Sequence, residues 1–115
     1  MDETLALQAD VLKTLSNAHR LDIIERLAHD GPAEVGRLAE LTGMSQPNVS
    51  QHLAVLRAAG LVSAVRVGRE VQYHLADPEV AEACRIMQRV LVRRLIRLAD
   101  ISTRAAERLD APLSV

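Results

Sequence analysis

The sequence contains no phenylalanine and no tryptophan, and Tyr73 is its only aromatic residue. A core without large rings must be built from Leu, Val, Ile and Ala. That suits helix-on-helix packing, and a small core of this kind is often completed by a second subunit. There is one cysteine, Cys84, which excludes an intrachain disulfide framework. No apolar run approaches the ~20 residues of a membrane-spanning helix. The start, MDETLALQAD, is acidic and amphipathic, and it lacks the basic region and apolar block of a secretory signal. A cytoplasmic location with no membrane partner is expected. There is no glycine-rich phosphate loop and no Ser/His/Asp set in a plausible arrangement. A chain of 115 residues also leaves little room for a substrate pocket in one subunit, so no enzymatic activity and no catalytic residue is expected. His19, His29, His52 and His74 are scattered, without i, i+4 pairing to a carboxylate and without a CxxC, so neither a metal nor another cofactor is predicted.

Net charge is −1, which does not advertise a polyanionic partner, but the distribution is uneven. Residues 1–44 carry four cations against eight acids. Residues 45–76 carry Arg57, Arg66 and Arg69 against Glu70 alone. Local excess matters more than the total for contacting phosphate.

About half of the residues are hydrophobic, 49%, enough for one folded domain spanning 1–115. Leu5, Leu7, Val11, Leu12 and Leu15 fit one amphipathic helix over about 3–15. In SNAHRLDIIERLAHDG, Ser16 or Asn17 can cap a second helix, Leu21, Ile24 and Leu27 line one face, and Gly31-Pro32 stops it. His19 then caps or packs at its start, and His29 suits the dipole at its end. AEVGRLAELTG reads as a short third helix with Val35, Leu38, Ala39 and Leu41 inward and Gly43 as its stop. Ser45 can cap a fourth helix running to Ala59, with Pro47 in its first turn, where the missing amide has no intrahelical acceptor. Only Gly43-Met44-Ser45 separates the third and fourth helices, which is a helix-turn-helix signal.

After Gly60 the period changes to alternation: LVSAVRV and EVQYHL flank Gly68-Arg69. Glycine in the first loop position suits a type II′ hairpin, with His74 facing solvent. Asp77-Pro78 then opens a last helix over about 78–109. Its stripe is Val80, Cys84, Met87, Leu91, Leu95, Leu98, Ser102, Ala105 and Leu109. A helix that long needs a partner. The expected fold class is mainly α: four helices, a β-hairpin wing and a long C-terminal helix, a winged helix-turn-helix.

On the fourth helix Val49, Leu53 and Leu56 define the inner face, and Pro47, Asn48, Ser50, Gln51 and Ala54 point outward. No acid stands between Ser45 and Ala59. An ordinary solvated face carries Glu and Lys, as residues 22–30 and 85–108 do with Glu, Asp and Arg. Asn and Gln pair bidentately with adenine, and small hydroxyl residues let a helix sit deep in the major groove. His52 lies at the edge of the core face, within reach of a phosphate. Arg66 and Arg69, at the hairpin tip, are placed for a wing to contact phosphate or the minor groove; the alternative is a solvated hairpin with Glu70 as their ion-pair partner. Cys84 is on the inward stripe, where a lone cysteine behaves as a small hydrophobe. Sensing would require its symmetry mate across a dimer.

The stretches LSNAHRLDII, LAELTGMSQPNVSQHLAVLRAAGLV and RVGREVQYHL resemble the ArsR/SmtB family of bacterial winged-helix repressors, over roughly residues 11–80. The resemblance implies a homodimer whose first and last helices form the interface. It implies a palindromic double-stranded DNA operator read by one helix per half-site. Gln46, Asn48, Ser50, Gln51 and His52, behind Ser45 at the cap, would face DNA, with Arg66 and Arg69 on the wing. The chain also departs from the family. PAEVGRLAEL has no cysteine where many members carry a Cys-x-Cys site. Asp77 and Glu79 fall near the family's first C-terminal metal pair, but Val90 and Arg93 stand where the second would be. The scaffold carries over and the family's metal sensing does not. The inducer is unspecified. Two other readings are a winged helix that binds protein and a thiol-responsive regulator that uses Cys84.

Overall fold

The computed structural model describes residues 2–110. Among them are α1 (Glu3–Leu15), α2 (Ala18–Asp30), α3 (Val35–Thr42), α4 (Gln46–Ala58), β1 (Val62–Val67), β2 (Glu70–Leu75) and α5 (Glu79–Asp110). The chain divides into two compact units between Glu82 and Ala83.

Local chemistry sets the boundaries. The Asp2 carboxylate accepts from the Thr4 amide at 2.8 Å and starts α1. Asn17, rather than Ser16, caps α2, accepting from the amides of His19 at 2.9 Å and Arg20 at 3.2 Å. The Arg20 side chain also donates to the Thr14 carbonyl at 2.7 Å, tying the end of α1 to the start of α2. Gly43 ends α3 with φ +75°, a left-handed conformation that costs glycine little. The Ser45 hydroxyl accepts from the Asn48 amide at 3.3 Å, with Pro47 in the first turn of α4. Asp77 accepts from the Glu79 amide at 2.9 Å and opens α5 one residue later than expected.

The hairpin is antiparallel, with register running from Val62↔Leu75 to Val67↔Glu70. Gly68 has φ +64°, and among the described residues no non-glycine residue has positive φ. That excludes a type I′ turn, which needs positive φ at both loop residues, and fits type II′. Tyr73 and Ala33 exchange backbone hydrogen bonds of 3.0 and 2.8 Å, so the α2–α3 connection lies against β2 as a short third rung.

The core is wholly aliphatic. It comprises Ile23, Ile24, Leu27, Leu38, Val49, Leu53, Leu56, Leu61 and Val62, with Ala33 and Ala81 at its margins. α2 differs from expectation: Leu21 is 39% exposed, while Ile23 is fully buried. α2 packs against α3, α4 and β2, which turns its inner face toward Ile23 and Ile24. In α3 only Leu38 is fully buried; Val35, Ala39 and Leu41 are half-buried. His74 is half-buried too, not solvent-facing. The apolar residues of α1 and α5 behave differently. α1 buries none of its residues completely, and Leu5, Leu7 and Leu12 are exposed. On α5, Val80 packs against the core, whereas Met87, Leu91, Leu95, Leu98 and Leu109 are exposed.

Candidate nucleic-acid interface

Hydrogen bonds brace the turn between α3 and α4. The Thr42 hydroxyl donates to the Leu38 carbonyl at 2.6 Å and accepts from the Met44 amide at 3.4 Å. With the Ser45 cap, these bonds fix the angle at which α4 leaves the turn. Val49, Leu53 and Leu56 then lock the inner face of α4 into the core. Everything opposite that face is presented outward as a consequence.

Gln46, Pro47, Asn48, Ser50, Gln51 and Ala54 are all exposed. Gln46 leans toward α3: its side-chain nitrogen would lie 3.6 Å from a Cβ built on Gly36. Among the described residues, the side chains of Gln46, Asn48, Ser50 and Gln51 make no hydrogen bond within the chain. Their donors and acceptors are therefore open to an external partner. Ser45 differs, because its hydroxyl oxygen is engaged in capping.

His52 lies apart from this set. It is half-buried, and its ring sits 5.7 Å from that of His19, tilted by 35°. Its pKa is held below the ordinary histidine value, first by burial and then by the positive fields of Arg20 and His19. The surroundings thus favour the neutral imidazole of His52 over the imidazolium.

At the hairpin tip Arg66 and Arg69 are both exposed. The Arg66 Nε donates to the Gly68 carbonyl at 3.3 Å, which steadies the turn. Among the described residues neither arginine is ion-paired with Glu70. Glu70 instead approaches Glu34, whose carboxyl pKa is raised by a hydrogen bond to Glu70, by burial and by the Glu70 charge. The wing arginines therefore keep their charge uncompensated.

Sequence reasoning passed over Arg57 and Tyr73, which the structure brings together beside Ser50. Arg57 was detectable: on the helical period it falls on the same side as Ser50 and Ala54. Tyr73 was not, because it arrives from β2. Cys84 is half-buried on α5. Among the described residues no group of three or more His, Cys, Asp or Glu is placed to hold a metal ion. No described helix is long and apolar enough to cross a membrane.

Residues 17–64, from the cap of α2 into β1, match the family described as bacterial regulatory protein, arsR family. The chain is similar to Rv0081 of Mycobacterium tuberculosis, an uncharacterised HTH-type transcriptional regulator. They are 37% identical over 89 residues, covering 77% of this chain and 78% of the relative. It is 43% identical over 83 residues to the HTH-type transcriptional regulator NmtR of the same organism, covering 71% and 68%. Among solved structures, it matches the crystal structure of Rv0081 with TM-score 0.76 and 35% identity, over 86% of this chain and 99% of that one. It also matches the homodimeric winged helix-turn-helix DNA-binding domain of a Mycobacterium bovis protein, with TM-score 0.72 and 36% identity, over 80% and 84%. These likenesses are to a set of transcriptional regulators, and the chain belongs to the ArsR family of bacterial regulatory proteins.

Proposed function

We propose that this protein is a homodimeric transcriptional repressor that binds a palindromic operator in the cytoplasm, without catalysing a reaction and without the metal sites of many relatives. The observation that carries the reading is the outer face of α4. Gln46, Asn48, Ser50 and Gln51 present open amide and hydroxyl groups there, with no acid on the helix, beside two uncompensated wing arginines. The amides suit base edges in the major groove, and Arg66 and Arg69 suit the phosphates. Residues 1–115 serve as one DNA-binding domain. Exposed apolar side chains on α1 and α5 support these helices, at about 3–15 and 78–109, as the dimer contacts. A signal acting on the long helices would change the spacing of the two copies of α4 and so release DNA. The metal-free reading rests on Val90 and Arg93, which cannot complete a ligand set.

Half-sites should lie about 10 base pairs apart, centre to centre, or a multiple of that. Binding to duplex DNA should weaken steeply with salt. Gln51→Ala should reduce the preference for operator over random duplex by about tenfold, whereas Arg69→Ala should weaken both equally. Fluorescence anisotropy with the two duplexes over a salt series checks this. Absence of binding to any duplex at low salt would overturn the reading in favour of a winged helix that binds protein.

A further inference from the structure

A cleft of 360 Å³ opens between the outer side of α4 and strand β2, lined by Ser50, Leu53, Ala54, Arg57, Ala58 and Tyr73. It exists because Ala54 and Ala58, one turn apart, carry almost no side chain there, and because Leu53 is drawn into the core, so that the cleft's lining there is apolar. Tyr73 provides the opposite wall. Its position is fixed, since its amide and carbonyl both bond to Ala33 and it pairs with Ala64 across the hairpin.

The polar groups of the cleft are all donors or donor-capable, and no carboxylate lines it. Arg26, Arg37 and Arg104 are each neutralised by an acid on their own helix. Arg57, exposed in the last turn of α4, has no such partner among the described residues. The hydroxyls of Ser50 and Tyr73 likewise have no hydrogen-bond partner among the described residues. A guanidinium and two hydroxyls around an apolar lining match an anion carried on a weakly polar body, which describes a sugar-phosphate. Ser50 belongs to this cleft and also to the outer face of α4. A strand whose bases face Gln46 and Gln51 would therefore run its backbone past it.

We propose that the cleft seats a backbone phosphate of the bound duplex. Arg57 is its counter-ion, Ser50 and Tyr73 donate hydrogen bonds to it, and the deoxyribose rests on Ala54 and Ala58. This contact is independent of sequence and sets the depth and register of α4. It rests on the reading of α4 as a DNA-binding helix.

The test uses the full-length protein and a labelled random-sequence duplex. Arg57→Gln should lower the slope of log affinity against log salt by about 0.9 for each protomer engaged, and affinity at about 0.1 M salt by about eightfold per protomer. Tyr73→Phe should weaken binding by about fivefold and leave the slope unchanged. Arg26→Gln, which loses a paired cation, should change neither. Urea midpoints near that of the wild type confirm that the variants fold. If the wild type binds and both Arg57→Gln and Tyr73→Phe retain its affinity and slope, the proposal fails while the reading of α4 survives. If the wild type does not bind duplex, both fail. Stabilisation of the free protein by inorganic phosphate that depends on Arg57, with duplex binding unaffected, would instead assign the cleft to a free anion and also overturn the proposal.

Discussion

His52 shows how much one side chain's role depends on what lies across from it. In the sequence it continues the polar run Ser50-Gln51, but in the structure it turns toward α2 and meets His19, with Arg20 close by. Its pKa is lowered, so the unfolded chain binds a proton at His52 more readily than the folded chain does. Stability therefore falls as pH drops below the ordinary histidine value of 6.5. Glu34 has the opposite sign. Its raised pKa favours the folded state below 4.5, an advantage lost as pH rises through the raised value. Where the two windows overlap their contributions oppose each other, so only a comparison of variants isolates His52. Urea midpoints measured from about pH 7.5 to about pH 5.5 should fall less in His52→Gln than in the wild type. Equal pH dependence in the two proteins would show that His52 is not held neutral by its surroundings.

At the scale of elements, the segment SQPNVS explains why α4 can be both well anchored and chemically open. The Ser45 cap and Pro47 occupy the first turn, and Val49, Leu53 and Leu56 occupy the inner face, which leaves amides and small hydroxyls with no structural duty. Ser45→Ala should cost about 1 kcal/mol of stability through loss of the cap, read from urea denaturation. Leu53→Ala should cost about 2–5 kcal/mol through loss of burial and cavity formation. A Ser45→Ala protein of wild-type stability would mean that the cap bond is not retained in solution. All the helices, both strands and the hairpin turn were legible in the sequence, because caps, glycines and periodicity act over a few residues. The inward residues of α4 were legible for the same reason. Leu21 was misplaced because period alone defines a stripe and not its centre. The contact of Ala33 with Tyr73 joins segments far apart in the chain, and no local pattern announces it.

At the scale of the whole molecule, many apolar side chains of the described helices α1 and α5 are exposed. Leu109 on α5 is 84% exposed, and Leu5, Leu7 and Leu12 on α1 are also open. A helix of 32 residues with such a stripe gains its stabilisation from packing and little from propensity. The expected outcome is a dimer by sedimentation, with a melting temperature that rises with protein concentration. A monomer whose melting is independent of concentration would remove the dimer from the proposal. Such a dimer would carry two copies of Cys84, one on each α5. If the protein is thiol-responsive, Cys84→Ala should keep its grip on DNA when an oxidant is added. A Cys84→Ala protein that still releases DNA on oxidation assigns the thiol to packing alone.

The sequence by itself determined the order of elements, the helix-turn-helix with its capped α4, the wing and the family, because each depends on spacing and chemistry within short stretches. Only the tertiary structure decided that Ile23 and not Leu21 faces the core, that His52 meets His19, and that Glu70 turns to Glu34 and leaves the wing arginines unpaired among the described residues. It also decided that Arg57 and Tyr73 share a cleft with Ser50. These outcomes depend on which surfaces of distant segments meet, and packing sets that only once the whole aliphatic core has closed.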